Sequence, residues 1–143
     1  MNYLLCIFED KKVENFYPLT LIRPVYDLRC GISTLWEKTL GATSEEGGVS
    51  RETIHLSCRS YLAPITAQRM GVARVNRLEE LKRNNVLFIN GRLLLSGERK
   101  IPMRGKEEIV IQGKDIVYAR LSRATLGRLC FSSPEGIEQG LNQ

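Results

Sequence analysis

The sequence predicts an α/β domain: a mainly parallel sheet with helices on both faces and an antiparallel edge hairpin. Tyr3 to Phe8 and Val86 to Ile89 are unbroken apolar runs, as expected of neighbouring central strands covered on both faces. Early in the chain, segments of extended and helical spacing alternate, which favours parallel pairing. Late in the chain, Ile109 to Ile111 and Ile116 to Tyr118 flank Gln112-Gly113-Lys114-Asp115, the pattern of a hairpin turn.

The elements follow in order. Glu9 to Asn15 turns polar without periodicity and reads as the loop leaving the first strand. Ile32, Leu35, Trp36 and Leu40 fall at helical spacing, and Gly41 is the expected stop. GATSEEGGVS, residues 41–50, is polar and glycine-rich and reads as a loop. Thr53 to Ser57 alternates, with Ile54 and Leu56 on one face and His55, the single histidine, expected at an exposed position on the other. Residues 64–70 suit a short helix, with Pro64 at its start and Gly71 past its end. Residues 77–83 suit another, with Asn76 as N-cap and Leu78 and Leu81 as its buried stripe. Leu93 to Leu95 form a further apolar stretch, and the tail from Ser122, which includes SSPEG, carries no packed-core pattern. The expected division is therefore a domain over 1–121 and a tail or linker over 122–143.

Composition narrows the function classes. A chain of 143 residues with 43% hydrophobic and 26% charged content fits one globular domain. Its apolar runs are far shorter than the roughly 18 residues of a membrane span, so no membrane partner is expected. The opening MNYLLCIFED lacks a basic region and reads as a strand, not a leader. Cys6, Cys30, Cys58 and Cys130 form no CxxC pair, and Cys6 lies in an apolar run where a reduced thiol is usual. A cytoplasmic location is the expectation. The net charge of +5 is concentrated in residues 98–129, where Arg99, Lys100, Arg104, Lys106, Lys114, Arg120, Arg123 and Arg128 face Glu98, Glu107, Glu108 and Asp115. Only Tyr118 there can stack on a base, and acids interrupt the cluster, so a solvated or docking face is expected rather than nucleic acid.

The informative stretch is NFYPLTLIRPVYDLRCGI, residues 15–32, between the first strand and the first helix. Ligands of open α/β sheets bind outside the strand C-termini, where this loop lies. Arg23 and Arg29 offer planar forks for phosphate. Asp27 either orients one of them or holds a sugar hydroxyl, Gly31 opens a helix N-terminus, and Pro18 and Pro24 stiffen the path. The competing reading has Asp27 bracing the loop through an arginine with no ligand involved.

PLTLIRP, residues 18–24, resembles the Pro-Leu-Thr segment that follows the first strand in sugar nucleotidyltransferases. FEDKKVENFYPLTLIRPVYDLRCGISTLWEK (8–38), with VLFINGRLLL (86–95) and EEIVIQGKDIVYARL (107–121), is similar to a branch related to the acetylglucosamine-1-phosphate uridyltransferase type. The resemblance implies a nucleotidyltransferase-like fold, a sugar phosphate or nucleotide as ligand, and magnesium as the cofactor. It also implies a C-terminal β-helix of hexapeptide repeats, a pattern these residues do not contain.

The departures are specific. The family's glycine-rich phosphate loop reads Glu9-Asp10-Lys11-Lys12-Val13-Glu14 here. The loop arginine aligns with Asn15, the following lysine with Val25, and the metal-binding aspartate with Arg92. Side chains hinder the close backbone approach that glycine allows, and Arg92 supplies no oxygen to a metal. Ordinary nucleotidyl transfer is therefore not expected of this chain. The ligand site expected instead comprises Thr20, Arg23, Asp27, Arg29, Asn90 and Arg92, with Glu9 and Asp10 as the remaining candidates for magnesium or for a ribose. Asn90-Gly91 is alternatively only a tight hairpin turn, and Glu9 and Asp10 only solvated loop acids. The rival class is a non-catalytic module that forms a homo-oligomer, or docks on its own β-helix domain, through the basic 98–129 region.

Overall fold

The computed structural model describes residues 3–43, 54–94, 101–103, 105–129 and 137–141. Outside the described residues lie 44–50 of the expected glycine-rich loop, Thr53, Leu95, Arg99, Lys100, Arg104, Cys130 and the SSPEG segment. Strands β1 (Tyr3–Phe8), β4 (His55–Leu56), β5 (Asn85–Asn90), β6 (Glu108–Gln112) and β7 (Asp115–Leu121) form one sheet in the order β4-β1-β5-β7-β6. The first three are mutually parallel, with Tyr3 opposite Asn85 and Phe8 opposite Asn90; β7 runs antiparallel to β5, and β6 to β7. The sheet is thus a parallel core with an antiparallel edge, and β1 and β5 are adjacent interior strands as their apolar runs require. A two-stranded hairpin, β2 (Arg29–Cys30) with β3 (Ser33–Thr34), stands apart.

Each side of the sheet carries its own core. Leu5 and Ile7 of β1 and Leu87 and Ile89 of β5 point to one face, where Tyr26, Trp36 of helix α1 (Leu35–Thr43) and Met70 of α2 (Ala63–Met70) cover them. Cys6, Phe8, Val86 and Phe88 point to the other. There α3 (Leu78–Lys82), α4 (Arg123–Leu126) and α5 (Ile137–Leu141) supply Leu81, Leu126, Ile137 and Leu141, all buried. Burial on both faces explains why these strands read as continuous apolar runs. It also corrects the expectation for the tail. A four- or five-residue amphipathic segment contributes too few apolar positions to register as a pattern, yet the buried side chains of α4 and α5 complete this core.

Other differences have local causes. The first helix begins at Leu35, not Ile32, because Thr34 caps it: its hydroxyl accepts from the Glu37 amide while the Glu37 carboxylate takes the Thr34 amide at 3.3 Å. Ile32 instead sits at the tip of the β2–β3 turn, 96% exposed, and Gly41 lies inside the helix, which continues to Thr43. Asn76 does not cap α3. It takes a left-handed φ of 57° and accepts the Cys58 amide at 2.9 Å, tying the exit of β4. Gly71 does end α2 in the left-handed conformation, with φ 65°. Asn90-Gly91 turns the chain, but the described residues after it form no hairpin with β5, whose antiparallel neighbour is β7.

His55 is buried, not exposed, because the 72–80 segment covers the outer side of β4: Val75 bridges Leu56, and Glu80 stands 3.7 Å from the imidazole. Neither ring nitrogen has a hydrogen-bond partner. Burial pulls its pKa below 6.5; Glu80 opposes this, and Arg74 and Arg77 add to it. The folded state therefore holds His55 neutral while the unfolded chain takes up a proton, so stability falls as pH drops below about 6.5. Urea denaturation between about pH 7 and pH 5 should show this loss in wild type, and a flatter profile in His55→Leu with no loss of stability at pH 7. An equally steep profile in His55→Leu would assign the acid sensitivity to other groups.

Candidate functional site

The C-terminal ends of β4, β1 and β5 lie side by side and present Arg59, then Glu9 and Asp10, then Asn90 and Arg92. Successive side chains on an extended chain point in opposite directions, and here the two acids serve opposite neighbours. Glu9 turns to the β4 side. Its Oε1 accepts the Arg59 amide at 3.0 Å and Arg59 Nε at 3.3 Å, and its Oε2 accepts the Val25 amide at 3.1 Å and Arg59 Nη2 at 3.2 Å. Asp10 turns to the β5 side. Its Oδ1 accepts the Lys12 amide at 3.2 Å and Arg92 Nε at 2.8 Å, and its Oδ2 accepts Asn90 Nδ2 at 3.0 Å as well as Arg92 Nη2.

Both acids are thus buried counter-ions of an arginine fork. Burial alone would raise the Asp10 carboxyl, but the bonds from Arg92 and Asn90 outweigh it and hold it below its usual range. The same bond raises Arg92, and Arg59 is raised by Glu9 against the opposing effect of burial. Arg92 also reaches Asp115 at 3.3 Å, and Lys12 pairs with Asp115 at 2.8 Å, linking the loop after β1 to the β6–β7 turn. No other residue fits at Gly91, because a methyl group there would meet Tyr26 Cδ2 at 2.6 Å.

Magnesium implied by the resemblance does not fit this arrangement. A carboxylate has about four acceptor positions, and those of Glu9 and Asp10 are taken as described. Among the described residues no cluster of three or more His, Cys, Asp or Glu is placed to hold a metal.

Arg59 also organises the loop after β1. Its Nη2 donates to the carbonyl of Thr20 and, at 3.3 Å, to that of Arg23, while its Nη1 donates to Tyr61, whose hydroxyl in turn donates to the Leu21 carbonyl at 2.9 Å. Thr20 is fully buried, and its hydroxyl donates to the Val13 carbonyl at 2.7 Å. Of the other expected residues, Asp27 pairs with Arg69 of α2 at 3.4 Å. Burial raises its pKa, with a smaller push from Glu37, while Arg69, Arg23 and Arg29 act against that rise through their charge. Arg29 is exposed and donates to the Ile32 carbonyl at 3.1 Å. Arg23, Asp27 and Arg29 therefore share one electrostatic neighbourhood on the loop, while Asn90 and Arg92 stand on the far side of β1. Two cavities flank the strand end, one of about 160 Å³ touching Glu9, Lys11, Tyr17 and Arg59, and one of about 410 Å³ touching Asn90, Arg92, Leu93 and Asp115.

The sequence reading missed Arg59, Arg69 and Asp115. Arg59 lies three residues past a strand's C-terminal end, a region that marks sites in parallel sheets, but β4 is only two residues long and its end is hard to place. Arg69 and Asp115 come from distant segments and leave no local sign. The basic 98–129 region also changes in character. Arg120 is buried, donating to Glu108 at 2.8 Å and to the Pro102 and Lys106 carbonyls, so it anchors the 102–106 segment instead of facing solvent.

Removing Arg59 leaves Glu9 buried without its partner and releases the 20–23 carbonyls. Breaking a buried pair from one side typically costs about 3–5 kcal/mol. Arg59→Ala should lower the unfolding free energy by about that amount, and Arg59→Lys should recover little of it, since a lysine is a point charge without the fork. Denaturant titration of both variants checks this, and a loss under about 1 kcal/mol would reduce Arg59 to a surface-type ion pair.

No curated protein and no solved structure matches this chain. A family model described as sugar nucleotidyl transferase matches residues 5–132. That match takes in β1, the arginine loop, the ends of β4 and β5, and the β6–β7 hairpin. The chain belongs to the sugar nucleotidyl transferase family.

Proposed function

We propose that this domain binds a sugar phosphate or nucleotide in the loop that follows β1, with Arg23 and Arg29 as the phosphate-holding groups and Asp27 as their orienting counter-ion. The single observation supporting it most is the charge imbalance there: three arginines, Arg23, Arg29 and Arg69, act on Asp27, with Glu37 the other acid among them. The surplus positive charge lies on a loop fastened by Arg59 to the C-terminal edge of the sheet, where ligands of such sheets bind. A relation to the acetylglucosamine-1-phosphate uridyltransferase type belongs to the same reading, with the transfer machinery degenerate: no glycine in the loop after β1, and arginine at position 92. Cys6 and Cys58 are buried free thiols, in keeping with a reducing cytoplasm.

A second reading, an interaction or oligomerisation module, draws on one observation. Leu19, Leu21, Ile22 and Ile32 on the same loop are between 46% and 96% exposed. A C-terminal β-helix domain of the same protein or a second copy would be its partner.

Calorimetry with sugar phosphates and nucleotides on wild type, Arg23→Ala and Arg29→Ala separates the two. A charge-assisted hydrogen bond is worth roughly 1.5–3 kcal/mol, so each substitution should weaken binding about tenfold or more. If no ligand binds wild type, or folded variants bind as well as wild type, the arginines are braces and the module reading takes precedence.

A further inference from the structure

Both acids at the end of β1 are closed to a divalent cation, and this bears on how a phosphate is held. Every acceptor position of Glu9 is met by Arg59 and the Val25 amide, and every one of Asp10 by Arg92, Asn90 and the Lys12 amide. Magnesium demands near-ideal octahedral oxygen ligation, with one or two carboxylates as its usual protein anchor. It would have to expel a guanidinium from a buried carboxylate and then sit beside that same displaced charge. The released guanidinium would then lose the carboxylate it is forked to, in a partly buried place.

We infer that phosphate recognition by this domain is independent of divalent cations, its charge being met by arginine alone. The groups that remain for it are Arg23, Arg29 and Arg69, since Arg59 and Arg92 are committed to Glu9 and Asp10. The ligand class is then a phosphate or diphosphate group taken up without its metal. The inference rests on the proposed function for the ligand, but its metal half stands alone.

Two measurements on the intact chain test it. In the first, manganese(II) alone is added as a magnesium surrogate and its free-ion paramagnetic resonance signal followed. The signal should stay at full intensity; attenuation that Asp10→Asn or Glu9→Gln relieves would overturn the inference. In the second, inorganic pyrophosphate is titrated calorimetrically in EDTA and in magnesium. Affinity in EDTA should equal or exceed that in magnesium, because the cation only competes for the ligand. Binding about tenfold or more tighter with magnesium would overturn the inference while leaving the ligand reading intact. If pyrophosphate binds in neither buffer, the ligand reading fails, and the manganese result still decides whether the acids are closed.

Discussion

Two adjacent carboxylates at the end of a buried strand must each be neutralised where water cannot do it, and the structure around the candidate site follows from how that is done. An unpaired buried charge is far too costly to leave standing. Glu9 and Asp10 point to opposite sides of β1, so each recruits an arginine from a different neighbour, Arg59 beyond β4 and Arg92 beyond β5. The three parallel strands are thereby fastened at the edge where their backbone ladder ends. Buried ion pairs contribute little net stability compared with apolar packing. Their effect here is positional: Arg59 carries the carbonyls of Thr20 and Arg23 with it, and so fixes the arginine loop relative to the sheet.

The parallel core was legible in the sequence because burial on both faces leaves a continuous apolar run, and only β1 and β5 satisfy that condition at length. The hairpin was legible because Gln112 to Asp115 interrupts two apolar stretches with turn residues, and Gly113 there adopts φ 66°. The last two helices were not. α4 has four residues and α5 five, too few for periodicity to separate from chance. His55 was misplaced for a related reason. Alternation identifies two faces, but at the outer strand of a sheet it does not reveal which of them another segment will cover.

The candidate site was legible in part, and the boundary is physical. Asp27, Arg23 and Arg29 lie within one loop, so their proximity follows from chain length alone. Asp10 and Arg92 are far apart in sequence, and Glu9 and Arg59 nearly as far; those pairs exist because parallel strands bring their C-terminal ends together. Read as a string, Glu9-Asp10 is a pair of loop acids suited to a cation. Once folded, the cation is already present as a guanidinium on each side.

The family scaffold and the charge pairs at its strand ends are set by different constraints. The sheet, the proline-bounded loop and the close approach of Gly91 to Tyr26 are set by packing and tolerate little change. Replacing a glycine-rich phosphate loop by one with acidic side chains removes backbone N–H groups from reach of an anion. It also introduces negative charge that the fold must compensate. Arginine at positions 59 and 92 supplies that compensation. The positive charge left over lies further out, on the loop around Asp27. The proposed ligand reading therefore has a phosphate meet Arg23 and Arg29, away from the strand ends.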